Sequence, residues 1–119
     1  MLLGAPFDVV VCNPPYLPDT TWDRAAWGGT GALNGASLCV PEVALFAGLG
    51  GTTGYKAVAV GLRDESATLL SPAAQLVLEV DSGHTTVVCD ILAAAGWEIV
   101  STLLDAQGLQ RCSVMQRAV

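Results

Sequence analysis

Apolar and polar positions divide the chain into short blocks that alternate between two periods. Phe7-Asp8-Val9-Val10-Val11-Cys12 is a β-branched run, halted by Asn13-Pro14-Pro15. Two prolines cannot continue a hydrogen-bonded ladder. The near-continuous apolarity predicts a strand buried on both faces, as in a parallel sheet. Residues 17–41 show no periodicity, are rich in Gly, Thr, Pro and Asp, and contain Trp22 and Trp27, which predicts a long loop. A short helical turn is expected over residues 42–49, ahead of the glycine-rich stretch 48–54. From Tyr55 the apolar positions 55, 58, 59, 62 and 69 make a helical stripe, ended by Ser71-Pro72. Gly61 weakens that helix by ~1 kcal/mol relative to alanine.

Residues 74–80 form a second apolar run with one Glu, read as another buried strand. Val87, Val88, Ile91, Leu92 and Ala95 then line one helix face, with Asp81 or Ser82 as N-cap and Gly96 at the end. Trp97 to Leu104 reads as a third strand, 105–108 as a turn, and 111–117 as a fourth strand paired to the third. The order β-loop-α-β-α-β-β implies an α/β domain whose sheet is mostly parallel, with a closing hairpin that adds an antiparallel strand. No internal repeat or low-complexity tract interrupts it.

Composition narrows the function. The chain has 119 residues, room for one domain, and eleven acidic against five basic residues, for a net charge of −6. So few cations cannot neutralise many phosphates, which argues against a sequence-independent nucleic-acid binder. Hydrophobic residues make up 52% and charged ones 13%, the opposite of a disordered composition. Pro41-Glu42 and Asp90 interrupt the apolar stretches, so no span of about eighteen uncharged apolar residues remains to cross a membrane. Asp8 sits where a secretory signal would need its apolar core, and no basic region precedes it.

Cys12, Cys39, Cys89 and Cys112 lie far apart, and His84 is the single histidine. No ligand spacing for structural zinc is present, so the cysteines read as reduced core thiols in a reducing compartment. His84 opens the second helix as a polar cap or solvent-facing group, with no partner carboxylate evident in the sequence. Glu79, inside an apolar strand, needs a partner: either the site at the strand's carboxyl end or a structural hydrogen bond. Arg111 and Arg117 read as solvated strand-edge charges.

The chemistry-bearing segment is Asn13-Pro14-Pro15-Tyr16 at the end of a strand, the position where open α/β sheets bind ligands. The prolines fix φ and remove two donors, leaving carbonyls as pure acceptors. Asn13 adds a side-chain carbonyl. Convergent acceptors suit a substrate whose NH₂ nitrogen reacts, and the Tyr16 ring can cover a planar amide or base.

With these residues the sequence resembles the class I S-adenosylmethionine-dependent methyltransferases of planar NH₂ groups. Within them it is similar to the HemK-like glutamine methyltransferases of peptide chain release factors. The likeness continues through Pro41-Glu42-x-Ala44-Leu45 with Gly50, Gly51 and Gly54, where the family's Glu-Pro order is reversed. It runs on through Leu69-Leu70-Ser71-Pro72, Leu76-Val77-Leu78-Glu79 and Asp105-x-x-Gly108-x-x-Arg111. Leu78-Glu79-Val80-Asp81-Ser82-Gly83-His84 looks like the organellar branch, which adds the mitochondrion to the cytoplasm as an expected location.

The resemblance implies a partial Rossmann-like class I methyltransferase sheet lacking the N-terminal cofactor-binding strands, with residues 1–119 as the C-terminal half of a catalytic domain. The family's glycine-rich turn and ribose-binding acid precede the Asn-Pro-Pro-Tyr strand, and this sequence starts six residues before that strand. Gly48-Leu49-Gly50-Gly51-Thr52-Thr53 and Gly29-Thr30-Gly31-Ala32-Leu33-Asn34 each fail the dinucleotide pattern at its last glycine. Weak S-adenosylmethionine binding is therefore expected of the isolated chain.

By resemblance, Asn13 is catalytic and touches both cofactor and substrate, while Pro14, Pro15 and Tyr16 bind substrate. The implied reaction moves a methyl group from S-adenosylmethionine to a glutamine amide nitrogen of a release factor. Methylation of an adenine amino group uses the same tetrapeptide, but the acidic balance opposes it. A non-catalytic remnant that binds a protein partner is the reading from another class. The family's neighbouring strand is missing beside residues 7–12, so an open edge and self-association are expected.

Overall fold

The computed structural model describes residues 6–17, 42–48, 50–64 and 69–118. The expectations for Trp22, Trp27, Cys39, Pro41 and most of the long loop lie outside these residues. The chain divides into two compact units, residues 1–14 with 55–119, and residues 15–54.

The first unit holds a four-stranded sheet of order β1-β2-β4-β3, with β1 at Phe7–Cys12, β2 at Leu70–Glu79, β3 at Trp97–Leu104 and β4 at Gln110–Arg117. β1 and β2 are parallel, whereas β4 inserts antiparallel between β2 and β3. The closing hairpin therefore ends inside the sheet, not on its margin, and two of the three pairings are antiparallel. Helix α1 at Thr53–Asp64 precedes β2, and a 3₁₀ turn at Ser82–His84 leads into α2 at Thr85–Ala93.

One face of the sheet carries the core. Leu76 pairs with Met115 and Leu78 with Ser113, so these four share a face, and all are buried. Tyr55 and Ala59 of α1, and Val88 and Leu92 of α2, are buried with them. The Tyr55 hydroxyl donates to the Glu79 carbonyl oxygen at 3.0 Å, giving this buried ring a polar partner. In α2 the inward positions are Val88 and Leu92, while Val87, expected on the same stripe, is 46% exposed. Asp81 caps the preceding 3₁₀ turn by accepting from the Gly83 N–H, and Gly96 follows α2 with φ +88°.

The other face is open among the described residues. Val9 and Val11 pair with Gln75 and Val77 on that face, and they are 51% and 75% exposed. The expectation that β1 is buried on both faces is thus corrected: it is the edge strand, and the helices cover one side only. Ser71-Pro72 is corrected as well. It lies inside β2, which begins at Leu70, and α1 stops at Asp64. The β1–β2 register jumps from Phe7↔Leu70 to Val9↔Gln75. Pro72 falls in this irregular stretch, where its missing N–H leaves no ladder bond unmade.

In the second unit, Leu17 forms a parallel bridge with Phe46, and a 3₁₀ turn spans Glu42–Ala44 as expected. Gly48 has φ +76°, and a Cβ there would lie 2.5 Å from Thr53 Oγ1, so glycine is required in the turn before α1. No helix among the described residues is long and apolar enough to cross a membrane.

Candidate functional site

β1 and β2 run parallel, so both deliver their carboxyl ends to one margin of the sheet. There the open face is hollowed by a cavity of about 490 Å³. Val11 and Val77, paired across the two strands, give it an apolar wall. Asn13, Glu79, Asp105 and Arg111 supply its polar groups. Asn13 is exposed and Pro14 behind it is buried, so the diproline is anchored while the amide faces solvent. Pro15 and Tyr16 are half-buried and belong to the second unit. The structure brings Asn13 and Glu79 to the same cavity. Cys12 and Cys112 also line the cavity, and burial pushes the Cys12 thiol up, keeping it protonated at neutral pH.

Arg111 is not a solvated edge charge. Its Nη1 donates to Asp81 Oδ1 at 2.9 Å and its Nε to Asp105 Oδ2 at 3.1 Å. The Val80 N–H donates to the Arg111 carbonyl at 2.8 Å, so side chain and backbone of one residue tie the β3–β4 turn to the end of β2. Each partly exposed ion pair contributes only ~0–1 kcal/mol, but the shared guanidinium sets where the turn sits. His84 has the neighbour that the sequence did not reveal: its Nδ1 lies 3.7 Å from Asp81 Oδ2. The spacing Asp105-x-x-Gly108-x-x-Arg111 was the available signal, because a tight turn at Gly108, with φ +78°, folds its two ends together. The role of Asp81 as an ion partner carried no signal, being indistinguishable from an ordinary cap.

Asp105 Oδ1 accepts from the N–H groups of Leu109 at 3.0 Å and Gln107 at 2.8 Å. The Leu109 N–H, then the Arg111 side chain and the Gln107 N–H, hold its carboxyl below the usual carboxylate range against a smaller opposing effect of burial. A carboxyl with a lowered folded-state pKa stabilises above its unfolded value and loses that stabilisation as pH falls through the folded one. Acidification below about pH 4 should therefore loosen the β3–β4 turn. Asp105→Asn should flatten this part of the profile, as read by thermal unfolding from pH 7 to pH 2.5.

With Arg111 engaged by two carboxylates, the polar lining is mainly acceptor in character, the Asn13 side-chain carbonyl and the Glu79 and Asp105 carboxylates, with both Asp105 oxygens already bonded. It suits a neutral or cationic group bearing N–H donors. The full S-adenosylmethionine molecule is a poorer match. The positive-φ glycines Gly48, Gly51, Gly96 and Gly108 do not line this cavity, and the described residues build no glycine turn between a strand and a helix there.

No protein-family model matches the chain. It is 36% identical over 116 residues to a release factor glutamine methyltransferase of Deinococcus radiodurans, covering 98% of this chain and 37% of that protein. It is 32% identical over 120 residues to the protein of the same name from Moorella thermoacetica, with the same coverage of 98% and 37%. The chain thus spans little more than a third of the length of these curated relatives. A solved protein-(glutamine-N5) methyltransferase (release factor-specific) from Alicyclobacillus acidocaldarius superposes with a TM-score of 0.51 at 20% identity, covering 98% of this chain and 52% of that one. That likeness establishes the fold, a part of a class I methyltransferase sheet.

Proposed function

We propose that this chain, a homologue of the release factor glutamine methyltransferases across the segment it spans, holds and orients the glutamine side-chain amide that receives the methyl group. The observation that carries this reading is the placing of the Asn13 amide in an acceptor-rich cavity at the carboxyl end of β1. An amide nitrogen is a poor nucleophile because its lone pair is delocalised into the carbonyl. The Asn13 side-chain carbonyl and the Pro14 main-chain carbonyl accept its two N–H groups and hold the nitrogen in a bent, reactive geometry. Pro15 and Tyr16 enter this reading as substrate-binding residues on the resemblance of the tetrapeptide alone. Orientation of this kind lowers a barrier by up to ~7–11 kcal/mol in favourable cases. The methyl donor in this reading is S-adenosylmethionine, and the protein substrate is a release factor.

A graft tests it: residues 7–118 replace the aligned segment of the Deinococcus radiodurans relative. Transfer of label from S-adenosylmethionine to the glutamine of a release factor is the expected result. A folded graft that binds S-adenosylmethionine yet methylates no glutamine would overturn the reading.

The open edge of β1 supports self-association of the chain by itself. Among the described residues β1 pairs only with β2, and Phe7, Val9 and Val11 are 46%, 51% and 75% exposed. Unpaired edges beside apolar side chains recruit other strands. Light scattering should find species larger than a monomer that Val11→Lys reduces; a clean wild-type monomer at high concentration contradicts this.

A further inference from the structure

At the end of the sheet opposite Asn13, the helix-covered face holds a second cavity, of about 200 Å³. It lies between Leu62 and Arg63 in the last turn of α1, Gly96 after α2, Trp97 at the start of β3 and Arg117 at the end of β4. Trp97 and Arg117 are cross-strand partners, and the Arg117 guanidinium carbon lies 5.8 Å from the centre of the Trp97 ring. Stacking on an aromatic face holds the guanidinium plane without using its N–H groups. Arg117 Nε and Nη2 are sealed from solvent and have no hydrogen-bond partner. These two nitrogens form the edge with which a guanidinium grips two oxygens of a carboxylate or phosphate at once. Buried donors are nearly always satisfied in folded proteins, so an empty fork at this position calls for an acceptor.

Among the described residues the surroundings supply none. No acidic side chain is among the described residues that line the cavity. The contrast with Arg111 is direct, since that guanidinium is held by Asp81 and Asp105. A second cation is present instead: Arg63, whose Nη2 donates to the Ala94 carbonyl at 2.8 Å, leaving further donors of the same group for a ligand. Two of the five basic residues of a chain with net charge −6 thus line one small pocket in which no described residue supplies a counter-charge.

We propose that this pocket binds a small oxyanion, gripped side-on by Arg117 Nε and Nη2 and neutralised further by Arg63. A volume of about 200 Å³ corresponds to about seven waters at their share of ~30 Å³ each, so it admits a single phosphate or carboxylate group. It falls below the ~300–1,000 Å³ of sites for larger organic ligands. The two fork nitrogens are sealed from solvent as the side chain stands, so the grip requires the guanidinium to shift on the Trp97 ring until they face the cavity. The site is separate from the Asn13 cavity and does not depend on the methyl-transfer reading.

Calorimetry of the full chain against inorganic phosphate and against acetate, each with chloride at matched ionic strength, tests the proposal. The expected result is one equivalent of phosphate or acetate bound, with a shift of the Arg117 Nε–H resonance on titration. A preference between the two distinguishes a tetrahedral from a planar oxyanion. Arg117→Lys keeps the charge but loses the two-oxygen grip, and should weaken binding about tenfold or more. Arg63→Gln, at an exposed position, should weaken it severalfold and serves as the variant if Arg117→Lys does not fold. Neither anion binding better than chloride, or unchanged affinity in both variants, would overturn it.

Discussion

Replacing Asn13 by alanine in the grafted enzyme should lower kcat on the order of 10²-fold or more while leaving the fold intact. The size follows from the kind of interaction removed: a preorganised polar group aimed at the reacting centre, in a place where water cannot reproduce its geometry. Asn13 lies just past β1, is exposed, and is backed by a buried Pro14 that keeps the turn in place without it. Thermal stability should therefore change by no more than ~1 kcal/mol. Asn13→Ala with unchanged turnover in the methyl-transfer assay would reduce the tetrapeptide to a structural stop.

Leu76→Ala should instead destabilise the first unit by ~2–5 kcal/mol, a large part of the ~5–15 kcal/mol that holds a typical domain together. Leu76 is fully buried in β2, between Val10 of β1 and Met115 of β4. Among the described residues, helices cover only one face of this sheet, so the core there is a single layer with no second layer to close the void. Denaturant unfolding followed by far-UV circular dichroism should show the midpoint fall with little change in slope. A loss below ~1 kcal/mol would mean that neighbouring side chains collapse into the space.

Much of the secondary structure was readable because its signals are local. Trp97–Leu104 matches its expected bounds, and Phe7–Cys12 is stopped by Asn13-Pro14-Pro15 as two missing N–H groups require. The start of β2 was not readable. Ser71-Pro72 is a legitimate helix terminator, and only the slipped register against β1 makes a proline acceptable inside that strand. The candidate site divides the same way. Asn13 announces itself through its proline neighbours, whereas the pairing of Asp81 with Arg111 joins residues 30 apart. That contact exists because β4 inserts next to β2.

The sequence by itself determined the alternation of strands and helices, the turn at Asp105–Gly108 and the acceptor-bearing strand end, since each depends on neighbours within a few positions. Only the tertiary structure decided which apolar runs are buried. Val9 and Val11 are as hydrophobic as Leu76 and Leu78, yet the first pair is exposed and the second lies under the helices. Burial depends on what packs against a face and which strand lies on the edge, and β-branched apolarity alone carries neither. The same holds for charge. Arg111 and Arg117 sit six residues apart at opposite ends of one strand, where different neighbours leave one bound by two carboxylates and the other with its fork edge empty.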